Sequence, residues 1–301
     1  MHSRNGSQAS GIGRLPRPHA ASDDEYALTV RSVPEIHRVI VAPSMSIPYA
    51  DQGVQAVGPV VLIHGLGDSL RSYEPVLAHL PLDVRALVPS LRGHGDADRP
   101  DQGYTPADHV GDIALLLDDA GVNQAVIAGH SSGSQIAQLF AITHPRRTLG
   151  LVLIGAPGPV PDRAAAARMT EEVAALRDPI DDTWLRDFAA STLAGPIPEA
   201  FLDTIVAESR KVPARVYQTA WPGIRDFDLS GDLQRITVPT IIIWGDQDRV
   251  PVATRECQNQ LVDAIPDARL MIYQGAGHSP HWERPQQFAA DLASFVRSLR
   301  A

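Results

Sequence analysis

One serine is placed where its hydroxyl can act as a nucleophile. Ser131 lies in the sequence Gly129-His130-Ser131-Ser132-Gly133, directly between a strand-like apolar run and a helix-like run. A sharp strand-to-helix turn exposes its central side chain, and it needs glycine on both sides because a Cβ would press on the neighbouring backbone. The backbone N–H groups at the start of the helix favour developing negative charge. This pattern is weak alone, so its meaning depends on the rest of the chain.

Residues after other apolar runs supply the partners that a serine nucleophile requires. A serine hydroxyl needs a base to remove its proton and a third group to orient that base. In open α/β sheets such groups collect at the carboxyl ends of strands. The candidates are Asp246 and Asp248 after 240–244, His278 after 269–273, and the loop His64-Gly65-Leu66-Gly67 after 59–63. With Ser131 they give a nucleophile, an acid and a base in chain order, and a loop that can turn a backbone N–H toward an oxyanion.

The elements that must position these groups are short apolar runs without alternation. Such runs are typical of strands buried on both faces of a parallel sheet. They are 59–63, 84–88, 125–128, 150–154, 240–244 and 269–273, preceded by a predicted antiparallel pair at 36–42 and 45–50. Helical patterns separate them, including one that begins at Thr105-Pro106 and ends at Gly121. The sequence therefore predicts an α/β fold with a mostly parallel central sheet covered by helices.

The strand–helix alternation breaks between residues 158 and 235. Four helical patterns, at 163–176, 182–193, 198–211 and 213–220, occur there without a convincing strand. We therefore predict a core formed by residues 25–157 and 236–301 and a helical insertion at 158–235. Residues 1–24 are rich in Ser, Gly, Arg, Pro and His, which predicts a mobile tail.

Composition excludes several classes of partner. The 301-residue chain is 44% hydrophobic and carries a net charge of −9, which argues against nucleic acid and anionic membrane as default partners. No apolar run reaches the roughly 18 residues that span a bilayer. Cys257 is the only cysteine, which suits a reducing compartment such as the cytoplasm. Neither metal-ligand spacing nor a dinucleotide fingerprint is present, so we expect no metal and no cofactor.

The order of these motifs resembles the α/β-hydrolase family of serine hydrolases, from about residue 36 to the C-terminus. The matching stretches are HGLG at His64–Gly67, RGHG at Arg92–Gly95, GHSSG at Gly129–Gly133, WGDQD at Trp244–Asp248 and GHSPHWERP at Gly277–Pro285. The resemblance implies that Ser131 is the nucleophile, His278 the general base and Asp248 the orienting acid. It also implies that the backbone N–H groups of Leu66 and Ser132 form the oxyanion hole.

Other expectations follow from the same resemblance. Asp246 competes with Asp248 as the acid, and Asp248 is favoured because the family's acid falls three residues after the glycine. The insertion would be the family's lid, or cap, over the strand ends. We expect Trp184, Trp221 and Val250 to line an apolar pocket for a small hydrophobic substrate.

The triad motifs leave the reaction open. An ester or lactone cleaved through an acyl-enzyme is the favoured substrate. Hydrolysis of C–C bonds and cofactor-free haloperoxidase or perhydrolase activity are alternatives on the same fold. A ligand receptor that retains the triad, with slow turnover or none, is the alternative of another class.

Overall fold

An eight-stranded sheet runs through the part of the chain that the computed structural model describes, residues 34–158 and 163–299. The strands are β1 (Glu35–Ala42), β2 (Met45–Gln52), β3 (Gly58–Ile63), β4 (Val84–Pro89), β5 (Ala125–His130), β6 (Thr148–Ile154), β7 (Thr240–Gly245) and β8 (Ala268–Tyr273). Their order across the sheet is β1-β2-β4-β3-β5-β6-β7-β8. Strand β2 pairs antiparallel with both β1 and β4, and the remaining pairs are parallel. The predicted mostly parallel sheet is confirmed, whereas the tail predicted at 1–24 lies outside the described residues.

Alternate side chains of the central strands enter two separate cores. Every residue of β3, β5 and β7 is buried, as the unbroken apolar runs predict. Val61 and Ile127 pack on one face with Phe140, while Val60 packs on the other face with Phe288. Burial of each large apolar side chain contributes about 1.5–3 kcal/mol, so both faces hold the strand ends in fixed positions.

Helices cover both faces. They are α1 (Glu74–Leu77), α2 (Pro106–Asp119), α3 (Ser132–Thr143), α4 (Arg163–Ala175), α5 (Asp182–Ser191), α6 (Glu199–Ser209), α7 (Ala214–Arg225), α8 (Arg255–Ala264), α9 (Pro280–Glu283) and α10 (Pro285–Ser298). Short 3-10 helices occur at Leu70–Tyr73, Pro145–Arg147 and Leu233–Arg235. Helix α2 begins at a reciprocal capping box between Thr105 and Asp108. Among the described helices, none combines the length and apolar character that a membrane-spanning segment requires.

Helices α4 to α7 lie between β6 and β7 along the chain. The prediction that the fourth of them ends at residue 220 is wrong, because α7 continues through Pro222 to Arg225. Proline forfeits one helical hydrogen bond. Trp221 and Ile224 are nevertheless both buried in an apolar cluster, and their packing continues the helix. This cluster also includes Leu66 and Val250, from the loops after β3 and β7.

Candidate active site

Ser131 sits at a strained turn between β5 and α3. Its φ of 51° and ψ of −121° are uncommon for a residue with a side chain. The Ser131 N–H donates a hydrogen bond to the Ile154 carbonyl at 2.8 Å, and the Ser134 N–H donates to the Ser131 carbonyl at 2.9 Å. The end of β6 and the first turn of α3 therefore hold this backbone conformation.

The two flanking glycines permit the turn. A Cβ at Gly129 would lie 2.0 Å from the Gly133 carbonyl oxygen. A Cβ at Gly133 would lie 2.6 Å from the carbonyl oxygens of Ile63 and His64. Backbone cannot move aside at such distances, so both positions require glycine, as the sequence predicts.

A carboxylate and an imidazole meet at the ends of the neighbouring strands β7 and β8. Asp248 Oδ2 lies 2.8 Å from His278 Nδ1, and the two side chains are 0% and 3% exposed. Asp248 Oδ1 accepts a hydrogen bond from the Val250 N–H at 2.8 Å. Exposed Asp246 instead accepts from the Gly275 N–H at 2.7 Å, which caps the turn after β8. The structure thus brings Asp248, and not Asp246, to the histidine.

The His278 ring is fixed in orientation. Its Nδ1 faces the Asp248 carboxylate, so in the neutral ring Nδ1 carries the hydrogen and Nε2 is free to accept a proton. A Cβ at Gly155, where φ is 52°, would lie 2.9 Å from His278 Nδ1. Only glycine leaves room for the ring there, which keeps the imidazole close to the end of β6.

The loop after β3 passes beside the nucleophile. A Cβ at Gly65 would lie 3.3 Å from the Ser131 Cβ. The next residue, Leu66, lines the cavity. Ser132 is the first residue of α3, so its N–H has no acceptor inside the helix. Of the two predicted oxyanion-hole residues, Leu66 thus follows the glycine that lies against Ser131, and Ser132 follows Ser131 directly in the chain.

His64 anchors this loop. Its Nδ1 donates to the Gly65 carbonyl at 2.8 Å, and its Nε2 accepts from the Leu91 N–H at 2.9 Å. One donating and one accepting nitrogen describe a neutral imidazole. Burial accordingly lowers the pKa of His64 well below its usual value.

Ser131 and His278 line one cavity of about 550 Å³. The predicted substrate-binding residues Trp184, Trp221 and Val250 lie in its wall. The two tryptophans also hold the helices together. Trp184 of α5 packs edge-on against Tyr217 of α7 with ring centres 5.6 Å apart, and the Trp221 Nε1–H donates to Thr170 Oγ1 of α4 at 2.9 Å.

Several lining residues were missed by sequence reasoning. They include Asp68, Met169, Phe188, Ile224 and Trp282. The one indication in the sequence that Asp68 lines the cavity is its position two residues after Leu66 in the same loop. His281, which follows His278 closely in sequence, is instead fully buried against Tyr73 and His130. Within residues 34–158 and 163–299, no group of three or more His, Cys, Asp or Glu side chains is arranged to hold a metal ion.

Known proteins match this chain over most of its length. Residues 60–291 match the model of the alpha/beta hydrolase family. A solved esterase from a Rhodococcus species is 28% identical, with a TM-score of 0.76 over 88% of this chain and 99% of that one.

Two curated relatives carry different activities. A 2-hydroxy-6-oxononadienedioate/2-hydroxy-6-oxononatrienedioate hydrolase of Cupriavidus pinatubonensis is 28% identical over 79% of this chain and 86% of its own length. A non-heme chloroperoxidase of Streptomyces lividans is 26% identical over 86% of this chain and 99% of its own length. The family match covers well over half of the sequence, and it agrees with the sheet and with the motifs that follow its strands. The chain belongs to the alpha/beta hydrolase family.

Proposed function

We propose that this protein is a serine hydrolase that cleaves hydrophobic carboxylic esters or lactones through Ser131, His278 and Asp248. One observation carries the proposal: the buried 2.8 Å contact between Asp248 and His278 lies at the cavity that Ser131 also lines. A nucleophile, a base and an orienting acid in one apolar cleft are the parts that acyl transfer requires.

The geometry supports a two-step mechanism. His278 Nε2 takes the proton as Ser131 Oγ attacks the carbonyl carbon, and Asp248 stabilises the resulting imidazolium. The N–H groups of Leu66 and Ser132 hold the oxyanion. His278 then protonates the leaving group, and water hydrolyses the acyl-enzyme by the same route in reverse. No step of this mechanism requires a cofactor.

Residues 158–235 act in this proposal as a cap over a core of residues 25–157 and 236–301. Trp184 of α5 and Trp221 of α7 lie in the cavity wall, and they belong to the same apolar cluster as Leu66 and Val250 of the core loops. The cap thus provides the roof of the cleft, and its side chains select the substrate.

The cavity favours a medium-sized hydrophobic substrate. A volume of about 550 Å³ lies in the range of small-molecule sites, and aromatic and aliphatic residues form much of its wall. The esterase relative from Rhodococcus supports the same reaction class.

Hydrolysis of a C–C bond is a second candidate, because the Cupriavidus relative is named for the hydrolysis of a dicarboxylate of that type. Such a substrate needs cationic partners. Arg168 is the only arginine or lysine among the described lining residues, whereas Asp68, Glu172 and Asp187 are acidic. This charge balance favours a neutral ester or lactone.

The experiment is a multiple-turnover screen of the purified protein against phenyl esters of increasing acyl length, aromatic lactones and a dienoate C–C substrate, with Ser131→Ala as the control. We expect sustained turnover of hydrophobic esters or lactones that the control loses. Dienoate cleavage without esterase activity would favour the second candidate. Tight ligand binding without turnover of any substrate would instead favour a receptor that retains the triad.

A further inference from the structure

Two polar side chains that the triad does not use lie beside the nucleophile. Asp68, in the loop after β3, and His130, the last residue of β5, both line the cavity. They are otherwise sheltered from solvent, at 6% and 3% exposure. An acidic side chain so deeply buried in an apolar cleft requires a compensating partner.

The pair lies close to the reacting atoms. The point that a Cβ of Gly65 would occupy is 3.4 Å from Asp68 Oδ2, 3.1 Å from His130 Nδ1 and 3.3 Å from the Ser131 Cβ. Asp68 thus lies beside the Ser131 turn in the wall of the cavity, where the atoms next to the carbonyl carbon of a substrate held by Ser131 can approach it.

Both groups can act as acceptors, and the Asp68 carboxylate is the one that the cavity reaches, because the His130 Nδ1 atom itself is closed off from solvent. His130 Nε2 lies 3.1 Å from the His278 carbonyl oxygen, which can only accept, so Nε2 carries the hydrogen. Burial lowers the pKa of His130, which keeps the ring neutral and leaves a lone pair on Nδ1. An ionised Asp68 carboxylate also only accepts.

The two acceptors do not satisfy each other. Asp68 Oδ2 and His130 Nδ1 are 3.8 Å apart, longer than a hydrogen bond, and Nδ1 has no hydrogen-bond partner among the described residues. Burial also raises the pKa of Asp68, because the carboxylate has lost its water. A donor on a bound substrate that reaches the Asp68 carboxylate would replace part of the hydration that burial has removed.

We propose that Asp68, with His130 packed beside it, is a specificity-determining acceptor for a hydrogen-bond donor on the carbon next to the reacting carbonyl of the substrate. The donor is a hydroxyl or an amino group, so the substrate class is a 2-hydroxyacyl or 2-aminoacyl ester with a hydrophobic remainder. This inference rests on the proposed hydrolase function and narrows its substrate.

The test compares kcat/KM for four phenyl esters: butanoate, 2-methoxybutanoate, 2-hydroxybutanoate and 2-aminobutanoate. The methoxy ester withdraws electrons as the hydroxy ester does but has no donor, so it is the reference. A hydrogen bond to a charged acceptor predicts a preference of about 10- to 100-fold for the hydroxy or the amino ester over the methoxy ester. The hydroxy and amino esters distinguish a neutral donor from a cationic one.

Two variants locate the preference. Asp68→Asn removes the charge with little change in shape, and we expect the preference to fall below about threefold. Asp187→Asn removes an exposed carboxylate from the wall of the same cavity and should leave the preference unchanged. An unchanged preference in Asp68→Asn would overturn the assignment. So would equal rates for the hydroxy, amino and methoxy esters in the wild type, a comparison that stands even if Asp68→Asn fails to fold.

Binding gives a readout that does not depend on turnover. Calorimetric titration of Ser131→Ala with the same esters should show tighter binding of the hydroxy or amino ester than of the methoxy ester. Equal dissociation constants would overturn the subsite. If no ester is hydrolysed but the binding preference is present, the hydrolase proposal fails and the subsite stands.

Discussion

We expect the free energy of unfolding to fall steeply as the pH drops from 7.5 to 5.5, because burial lowers the pKa of five histidines in the described part of the chain. Burial lowers the pKa of His64, His94, His109, His130 and His281. It brings the pKa of His94 to about 4 and that of His109 to about 3. In the unfolded chain a histidine titrates near 6.5.

These pKa values determine the direction in which stability changes with pH. Above pH 6.5 the buried rings are neutral in both states, so they cost nothing. Below pH 6.5 the histidines bind protons in the unfolded chain but stay neutral in the folded protein. The free energy of unfolding therefore decreases as the pH falls, until the pH reaches the pKa values of the folded state. At pH 5.5 each such histidine costs about 1.4 kcal/mol, so His94 and His109 together cost about 3 kcal/mol. His64, His130 and His281 act in the same direction.

The assay is urea denaturation at half-unit pH steps, compared between the wild type and His109→Gln. His109 is buried on α2, and the described residues offer no hydrogen-bond partner to its Nδ1. Whatever its stability at pH 7.5, the variant should lose about 1.4 kcal/mol less than the wild type between pH 7.5 and 5.5. Replacement of the exposed His79 by Gln is the control for the substitution itself. Identical pH slopes for the wild type and His109→Gln would refute the reasoning.

Three further predictions concern single side chains. Asp248→Asn should lower kcat by about 10⁴-fold because the amide favours the wrong tautomer of the imidazole, whereas Asp246→Asn should leave it within about tenfold; equal losses measured on one ester would contradict the assignment. Asp112→Ala should lower the free energy of unfolding by about 3–5 kcal/mol, since it leaves the Arg92 guanidinium, 12% exposed and 2.6 Å from Asp112 Oδ1, without its buried partner; urea denaturation with a loss below 1 kcal/mol would count against this. Trp221→Ala should broaden the acyl-length profile of kcat/KM, because the indole forms part of the cavity wall, and an unaltered profile would remove it from substrate selection.

The sheet could be predicted closely because its signal is local. Strands buried on both faces read as unbroken apolar runs, and each predicted strand end lies within two residues of the observed one. The order of the strands is a different matter. The position of β4 between β2 and β3 depends on pairings between residues far apart in the chain. The local pattern of apolar residues carries no information about such pairings.

The site was partly predictable for the same reason. Motifs that follow strands located Ser131, Asp248 and His278, because parallel strands end at a common edge. From the residues alone Asp246 and Asp248 remained alternatives, and only the fold turns one of them toward the histidine. Asp68 was missed because the direction of a loop side chain is set by its tertiary surroundings. The end of α7 is also set by tertiary packing, since Pro222 is a local stop signal and the helix nevertheless continues through it to Arg225, with Trp221 and Ile224 buried.

The central claim is that the Ser131 hydroxyl is the nucleophile, and covalent labelling tests it most directly. The purified protein is incubated with a fluorophosphonate probe, the labelled peptide is identified by mass spectrometry, and ester turnover is followed in parallel for the wild type and Ser131→Ala. We predict one adduct per chain, on Ser131, with turnover lost in proportion to labelling, and an unlabelled but folded Ala variant whose kcat is at least about 10³-fold lower. An adduct on another serine, or an Ala variant that keeps its turnover, would contradict the account.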